Sequence, residues 1–241
     1  MSQPLPTHDF RWLDEAETKK LNVLHMDDDA PVGYILEVDL EYPKDLHNLH
    51  NDYPLAPETL KIKQNMLSEY QQNLQEHLKL KTTSCSKLVP NLFNKTKYVL
   101  HYRNLKLYLS LGMKLTKIHR VLAFEQSAWL KSYIDFNTSK RKEAKSEFEK
   151  DFFKLMNNAV FGKTMENLRK RVDVKLVNNK RKMEKLAAKP NFKTFKIFNE
   201  RLVAVEMQKV KLLLNRPIYV GFTILDVSKF LMYDFYYNNN L

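Results

Sequence analysis

Residues 140–168 read KRKEAKSEFEKDFFKLMNNAVFGKTMENL, and this segment decides what the rest of the chain is expected to be. A series at a spacing of four runs through it: Lys142, Ser146, Lys150 and Lys154. Residues four apart share one face of an α-helix, so the spacing predicts a row of ammonium groups along one long helix. The apolar side chains that fall largely on another face are Phe148, Phe152, Phe153 and Leu155. We expect the first face to meet a polyanion and the second to pack on a core.

The charge of the chain is concentrated in one third of its length. The 241 residues carry a net charge of +12. Residues 1–60 hold 4 Lys and Arg against 13 Asp and Glu, whereas residues 140–216 hold 22 against 9. A basic block attracts phosphate through counterion release, which favours nucleic acid or a nucleotide as the partner. A solvated basic surface without a specific ligand is the open alternative.

Several classes of protein are disfavoured by composition. No run of eighteen apolar residues occurs, so neither a membrane span nor a membrane partner is expected. The N-terminal segment lacks the pattern of a signal peptide. The single cysteine, Cys85, excludes an internal disulfide and fits a reducing intracellular compartment.

The hydrophobic pattern mixes strand-like and helix-like segments and predicts an α+β fold. Residues 1–33 are expected to be irregular apart from a brief helix after Asp14. Strands are predicted at 33–42, at the start of 97–112, at 114–124, at 169–177, within 193–211, and at 217–222. Helices are predicted at 61–80, in the second part of 97–112 and at 223–237, and residues 180–189 are expected to form a basic helix or loop.

The lysine-rich segment closes with the pattern Lys154-x3-Asn158-x2-Phe161-Gly162, which is expected to form a tight turn at its end. In this position Lys154 can meet a triphosphate, while Asn158 and Phe161 reach the base or sugar. Phe161 offers a flat face to a base pair, and Gly162 permits close backbone approach. From the residues alone, an ordinary amphipathic helix explains the same pattern.

This pattern resembles motif B of family B DNA polymerases, Lys-x3-Asn-Ser-x-Tyr-Gly. The resemblance is to the protein-primed branch of viruses and Polinton/Maverick transposons, and it extends through GYILEVDLEYPKDLHNLHNDYPLAPE and RPIYVGFTILDVSKFLMYDF. Two positions depart, because Ala159 stands for the usual Ser and Phe161 for the usual Tyr. Both changes remove a hydroxyl and keep the shape of the side chain.

The resemblance implies template-directed transfer of deoxynucleotides with Mg2+ as cofactor. Its partners would be a DNA template-primer, a dNTP and a terminal protein primer, in the nucleus of a eukaryotic host. The nucleotide-binding residues would be Lys142, Lys150, Lys154, Asn158, Phe161 and Gly162. The DNA-binding residues would be Lys163, Arg169, Lys170 and Arg171.

The resemblance also implies a division of the chain into parts of a partial palm, helical fingers and small insertions. Residues 1–33 would leave the palm, 34–125 would hold a terminal-protein-region-like insertion and palm strands, 126–168 the fingers, 169–215 a second insertion, and 216–241 the palm re-entry. The catalytic Asp of motif A would precede Met1, and the Asp-Thr-Asp of motif C would follow Leu241. The chain is therefore expected to be an inactive central fragment; the alternative is a non-catalytic, basic nucleic-acid-binding protein derived from such a polymerase.

Two other groups of polar residues raise the question of a metal site within the chain. Glu37, Asp39 and Glu41 share one face of a predicted strand and can bind a divalent cation, but a solvated face of an edge strand is the favoured interpretation. The spacing of His47, His50 and Glu58 in a loop is a weak signal, and surface hydrogen bonding is favoured. No catalytic residue and no metal ligand is therefore assigned within this chain.

Overall fold

A computed structural model describes residues 1–80 and 85–239. The strands are β1 Leu5–Pro6, β2 Arg11–Trp12, β3 Val32–Glu41, β4 Glu58–Lys61, β5 Ser86–Val89, β6 Lys95–His101, β7 Lys114–Ser127, β8 Asp173–Val177, β9 Phe192–Asn199 and β10 Leu202–Met207. The helices are α1 Glu15–Lys20, α2 Glu69–His77, α3 Tyr102–Ser110, α4 Lys131–Glu143, α5 Glu147–Thr164, α6 Lys180–Ala187 and α7 Ile218–Asn239. Short 3-10 turns lie at Val23–His25, Lys44–Leu46, Gln64–Met66 and Leu168–Lys170.

The chain forms two compact units. The first comprises Met1–Ser139 and the chain from Phe222 onward, and the second comprises Lys140–Gly221. Antiparallel sheets and helices make up both, as the α+β prediction required. Two of the five segments predicted from the resemblance are described only in part. Residues 81–84 of the segment 34–125 and residues 240–241 of the segment 216–241 lie outside the described residues. None of the described helices is long and apolar enough to cross a membrane.

The first unit is built on an antiparallel sheet in the order β1-β7-β3-β6, with β2 also paired to β7. Alternation along β3 turns Leu36, Val38 and Leu40 into the core, where each is almost fully buried. Tyr233 and Tyr237 of α7 pack in the same core, and their hydroxyls donate to the carbonyl oxygens of Pro54 and Tyr53. The prediction of an edge strand here is wrong, because β3 lies between β6 and β7.

Asp226 of α7 ties this helix to the start of α3. Its carboxylate accepts a hydrogen bond of 2.7 Å from the backbone N–H of His101, and its carbonyl accepts one of 2.6 Å from the Asn104 amide. The carboxylate also pairs with Lys229 at 2.9 Å. The buried charge is thus fully partnered, which makes its burial tolerable.

The second unit contains a three-stranded antiparallel sheet in the order β8-β10-β9. Val177, Val205 and Met207 are buried on one face, where Met183 and Leu186 of α6 cover them. Of the helix or loop expected at 180–189, the structure has the helix α6, and the strands predicted within 193–211 are confirmed as β9 and β10. The predicted strand at 169–177 is shorter, because a 3-10 turn at Leu168–Lys170 precedes β8.

Several predicted elements differ from the observed ones. Residues 1–33 include the short strands β1 and β2 beside the predicted helix α1. The helix predicted at 61–80 is reduced to α2, which begins at a capping box between Ser68 and Gln71 and buries no residue.

The prediction of a strand at residues 217–222 is wrong, because α7 begins at Ile218. Pro217 directly precedes this helix, and proline fits a helix start because its missing N–H has no partner there anyway. The β-branched and aromatic residues that suggested a strand are instead packed as one end of a long helix.

Candidate nucleotide and nucleic-acid interface

The lysine-rich segment is two helices rather than one. Residues 144–146 separate α4 from α5. Ser146 is the N-cap of α5: its hydroxyl accepts from the N–H of Glu149 at 3.2 Å, and the Glu149 carboxylate accepts from the N–H of Ser146 at 3.2 Å. The prediction that Lys142 shares a helix face with Lys150 and Lys154 is therefore wrong. Lys142 ends α4, because the Ser-x-x-Glu capping box starts a new helix after it.

The predicted turn at residues 157–162 is also absent, since α5 continues without interruption to Thr164. At about 100° per residue, Lys150, Lys154, Asn158 and Phe161 fall within an arc of about 80°. Asn158 is exposed and Phe161 is half-buried. The structure thus brings together on one helix face the two lysines, the amide and the ring that the sequence singled out.

The two lysines of this face differ in their partners. Lys150 Nζ lies 2.6 Å from Glu147 Oε1, and this hydrogen bond lowers the pKa of the Glu147 carboxyl. Lys154 is exposed and makes no ion pair with any described residue. Lys154 is therefore the lysine of the pair that is available to an incoming anion without first giving up a carboxylate.

Gly162 lies next to open space. A Cβ built at this position would meet no described atom within 4 Å. The helix therefore does not require a glycine for packing inside the protein. The absence of a side chain leaves this part of the α5 surface open.

The apolar side chains on the opposite face of α5 are exposed, so the prediction that they pack on a core is wrong. Phe148, Phe152 and Leu155, which were expected to pack on a core, are 79%, 46% and 62% exposed. Phe148 and Phe152 stack on each other with ring centroids 6.4 Å apart. Periodicity identified an apolar face, but no element of the described chain covers it.

Arg169, Lys170 and Arg171 line a cavity of about 470 Å³ in the second unit. Lys193 of β9 and Lys209 after β10 line the same cavity. Arg169, Lys170 and Lys209 make no ion pair with the described part of the chain. Sequence reasoning missed Lys193 and Lys209 as members of this site, because only the pairing of β9 with β10 brings them to the turn before β8.

Two of the predicted DNA-binding residues, Lys163 and Arg171, form ion pairs with Glu166. Glu166 accepts from Arg171 Nε at 2.8 Å and from Arg216 Nε at 3.2 Å, and Lys163 Nζ lies 3.7 Å away. Its pKa is lowered, chiefly by the hydrogen bond from Arg171. The structure therefore separates Arg171 and Lys163, which are paired with Glu166, from Arg169 and Lys170, which are not.

The carboxylates of β3 do not form a metal site. Glu37 Oε2 lies 2.8 Å from Arg120 Nε, and Asp39 Oδ1 lies 2.8 Å from His119 Nε2. Asp39 also accepts from the backbone N–H of Lys97, which is the main cause of its lowered pKa. Each of these carboxylates is held by a cationic or N–H group from a neighbouring strand. Glu41 lies at the end of the series, 3.7 Å from Lys114.

The His47, His50 and Glu58 group likewise fails as a metal site, although not for the predicted reason. His50 is fully buried, and its Nδ1 lies 2.8 Å from the Tyr42 hydroxyl. Glu58 pairs instead with the buried Lys95 at 2.9 Å. Surface hydrogen bonding is therefore the wrong interpretation of His50, which is a core residue.

Within the described ranges, the group of three potential metal ligands that converges is His8, Asp9 and Glu125, whose ligand atoms lie within 4.8 Å of one another. All three are exposed, and Asp9 has a positive φ of 54°. His8 Nδ1 lies 3.0 Å from Asp9 Oδ2. A mixed His and carboxylate cluster of this kind differs from the two-aspartate arrangement that the family resemblance implies for nucleotidyl transfer.

No family model matches the sequence, and no curated protein matches it. Solved structures of phi29 DNA polymerase are among those similar to the chain. Phi29 DNA polymerase complexed with primer-template DNA aligns at a TM-score of 0.44 and 15% identity, covering 97% of this chain and 32% of that one. An orthorhombic crystal form of phi29 DNA polymerase aligns at a TM-score of 0.47 and 14% identity, covering 97% and 34%. The chain thus spans about a third of the length of these structures.

Proposed function

We propose that this chain is the nucleotide-binding and DNA-contacting part of a template-directed DNA polymerase of the protein-primed family B type. The observation that carries the proposal is the face of α5, where Lys150, Lys154, Asn158 and Phe161 lie together. Their order along the helix is that of motif B. A helix that presents cations, an amide and a flat ring in sequence matches the phosphates, sugar and base of a nucleotide.

In this proposal Lys154 and Lys150 neutralise the triphosphate. Asn158 and Phe161 frame the nascent base pair, and Gly162 leaves room for it. Lys142 is retained only through the resemblance, since the break between α4 and α5 removes the helical spacing that supported it independently.

The basic residues that follow α5 would hold the phosphate backbone of the template-primer. Arg169 and Lys170 are available for this role at the mouth of the basic cavity, whereas Arg171 and Lys163 would have to leave Glu166. Backbone contacts of this kind position DNA without reading its sequence.

The assignment of parts belongs to the same proposal. Residues 1–33, 34–125, 126–168, 169–215 and 216–241 would be palm exit, terminal-protein-region-like insertion with palm strands, fingers, second insertion and palm re-entry. A terminal protein primer, the nuclear compartment of a eukaryotic host and an origin in a transposable element follow from the resemblance alone.

The Mg2+ ions of the full enzyme would supply charge neutralisation at the reacting phosphate. Glu37 and Asp39 do not fit that role, because they are paired with Arg120 and His119. The resemblance places the ligands in sequence outside this chain. We propose accordingly that the isolated chain binds a nucleotide but does not polymerise.

The test is binding of a fluorescent dNTP analogue to the purified chain. Lys154→Ala and Phe161→Ala are each expected to weaken binding about tenfold, because each removes a contact to phosphate or base. Lys182→Ala, an exposed lysine of α6, is the matched control and should bind as the wild type does. Unchanged affinity in both α5 variants would refute the nucleotide site. Primer extension by the chain with Mg2+ would refute its inactivity.

A second function is supported by one observation. The basic cavity is lined entirely by residues outside α5. A non-catalytic, basic nucleic-acid-binding protein would use this cavity and leave the α5 face without a ligand. Salt-dependent DNA binding combined with no measurable nucleotide binding would favour that function over the polymerase.

A further inference from the structure

β1 and β2 pair with the same strand, β7, and the chain bulges between them. Pro6 pairs with Gln126, and the next pair is Arg11 with Ala123. Four residues therefore lie opposite two, so the N-terminal segment carries two extra residues at this point. We call residues 7–10 the N-terminal bulge. Extra residues in a strand interrupt the regular alternation and can turn neighbouring side chains toward the same partner.

Contacts at both ends of the N-terminal bulge fix its backbone against β7. The N–H of Thr7 donates to the carbonyl oxygen of Glu125 at 2.8 Å, and the N–H of Glu125 donates to the carbonyl oxygen of His8 at 3.0 Å. At the other end, the rings of Phe10 and Phe124 pack with their centroids 5.9 Å apart. The side chains of the bulge therefore project from a backbone that is already held in place.

The N-terminal bulge places one imidazole between two carboxylates. His8 Nδ1 lies 3.0 Å from Asp9 Oδ2, and His8 Nε2 lies 3.9 Å from Glu125 Oε2. One ligand atom from each of these residues lies within 4.8 Å of the other two. All three side chains are more than half exposed, so an ion can reach them from solvent without any opening of the fold.

The charges of this group are not balanced by a permanent cation. In the described part of the chain, neither Asp9 nor Glu125 forms an ion pair with a lysine or an arginine. The carboxylates of β3 differ in this respect, since Glu37 is paired with Arg120. With the imidazole neutral, two negative charges face one ring, and a divalent cation would neutralise both of them.

The donor atoms determine which cations suit the group. Imidazole nitrogen combined with carboxylate oxygen suits Zn2+ and its transition-metal neighbours, whereas Mg2+ and Ca2+ prefer oxygen ligands alone. We propose that His8, Asp9 and Glu125 form a binding site for a divalent transition-metal ion, with water in the remaining position. Three protein ligands and one water are a common arrangement around Zn2+.

Binding would require only rotation of exposed side chains. Zn2+ lies about 2.0–2.2 Å from nitrogen and oxygen ligands, so the ligand atoms of a tetrahedral site are about 3.3 Å apart. From separations of at most 4.8 Å, the ligand atoms have to approach one another by about 1.5 Å or less. The bound ion would then join the N-terminal bulge to β7 by coordination as well as by hydrogen bonds.

The experiment measures binding of Zn2+ to the full, untagged chain by isothermal titration calorimetry. Cys85→Ser is the background for every variant, because an exposed thiol binds Zn2+ by itself. We expect one ion per chain, and we expect excess Mg2+ not to compete with it. His8→Gln and Glu125→Gln should each weaken Zn2+ binding at least about tenfold, since loss of even an outer-shell partner has an effect of that size.

His77→Gln is the matched control, because it removes an exposed histidine of α2 and should leave Zn2+ affinity unchanged. Asp9→Asn should weaken binding without disturbing the bulge, since asparagine tolerates the positive φ of this position. Unchanged Zn2+ affinity in His8→Gln would overturn the proposal. So would equal competition by Mg2+, because carboxylates alone would then explain the binding, or a lack of Zn2+ binding in the Cys85→Ser background.

Hydrogen exchange locates the ion on the chain. Zn2+ should slow exchange of the amides of Thr7 and Glu125, which hold the bulge to β7, in the background protein and not in His8→Gln. The site is independent of the proposed nucleotide site, so Lys154→Ala should lower nucleotide affinity and leave Zn2+ affinity unchanged. Slower exchange elsewhere, without a change at Thr7 and Glu125, would place the ion at other residues and refute the proposal.

Discussion

His101 joins β6 to α3 and is buried with neither ring nitrogen hydrogen-bonded to a described residue. Its ring packs 4.6 Å from that of Tyr102 and 6.2 Å from that of Phe124, measured between centroids. Burial, with a smaller effect of the Arg103 charge, lowers the pKa of His101 to about 3. The folded protein therefore holds this imidazole neutral at pH values where the unfolded chain protonates it.

This burial predicts a loss of stability in mild acid. The unfolded state takes up a proton below its ordinary pKa of about 6.5, while the folded state resists protonation down to about 3. Stability should fall by about 2 kcal/mol between pH 7 and pH 5 from this group alone. Urea denaturation at both pH values should show that His101→Leu removes this difference and that His8→Gln, at an exposed histidine, does not. Equal pH dependence in all three proteins would contradict the argument.

Two helical glycines predict opposite effects of the same substitution. At Gly162 a methyl group meets open space, so Gly162→Ala should stabilise the protein by about 0.5–1 kcal/mol through helix propensity. At Gly221 the Cβ would overlap Thr164 Oγ1 and the Met165 side chain, so Gly221→Ala should destabilise it by about 1–3 kcal/mol. Thermal unfolding compares the two variants directly. Shifts of the same sign would contradict the close approach of Thr164 and Met165 to Gly221.

At the scale of the element, the beginning of α5 determines which lysines act together. The capping box of Ser146 and Glu149 satisfies N–H groups that an uninterrupted helix would bond to the preceding turn. It thereby assigns Lys142 to α4 and leaves Lys150 and Lys154 on α5. The Glu149 carboxyl accepts from the N–H groups of Lys145 and Ser146, and these bonds lower its pKa.

Removal of the cap should destabilise α5 without changing its lysines. Ser146→Ala is expected to lower stability by about 1 kcal/mol, because the N–H of Glu149 loses its acceptor. Hydrogen exchange of the amides of residues 147–150 should become faster. Ser139→Ala, within α4, is the control and should leave that exchange unchanged. Unchanged protection in Ser146→Ala would mean that another group caps the helix.

At the scale of the whole molecule, charge is distributed unequally between the two compact units. The excess of Lys and Arg lies within residues 140–216, which coincide closely with the second unit, Lys140–Gly221. In the first unit many carboxylates pair with cations, as Glu37 does with Arg120 and Asp28 with Lys106. The net positive charge therefore belongs to one compact unit, which is expected to dominate binding to polyanions.

The salt dependence of DNA binding should show whether the cations of the second unit make the contacts to phosphate. Exchange of Arg169 and Lys170 for Gln should weaken duplex binding and reduce the slope of log K against log salt by about 1.8, if each residue neutralises one phosphate. Exchange of Lys19 and Lys20 for Gln in α1 removes the same charge from the acidic end of the chain and should leave the slope unchanged. Equal changes in the two double variants would show that only net charge matters.

Part of this architecture could be predicted from local pattern. Alternation identified β3, the pattern of aromatic residues identified most of α7, and composition located the basic block, because each of these signals depends on neighbours in the chain. The pattern Ser146-x-x-Glu149 also contained the break between α4 and α5, although the lysine spacing obscured it. A regular spacing of charged residues does not by itself specify a continuous helix. A capping box can begin a new helix within the segment without changing the spacing of the charges.

The sequence by itself determined the mixture of elements, the concentration of positive charge and the motif along α5. Only the tertiary structure decided which groups are available to bind. It paired Glu37 and Asp39 with residues of other strands, buried His50, and brought Lys193 and Lys209 to the cavity beside Arg169. The physical reason is that ion pairing and burial depend on strand register and packing between distant segments, which local spacing does not encode.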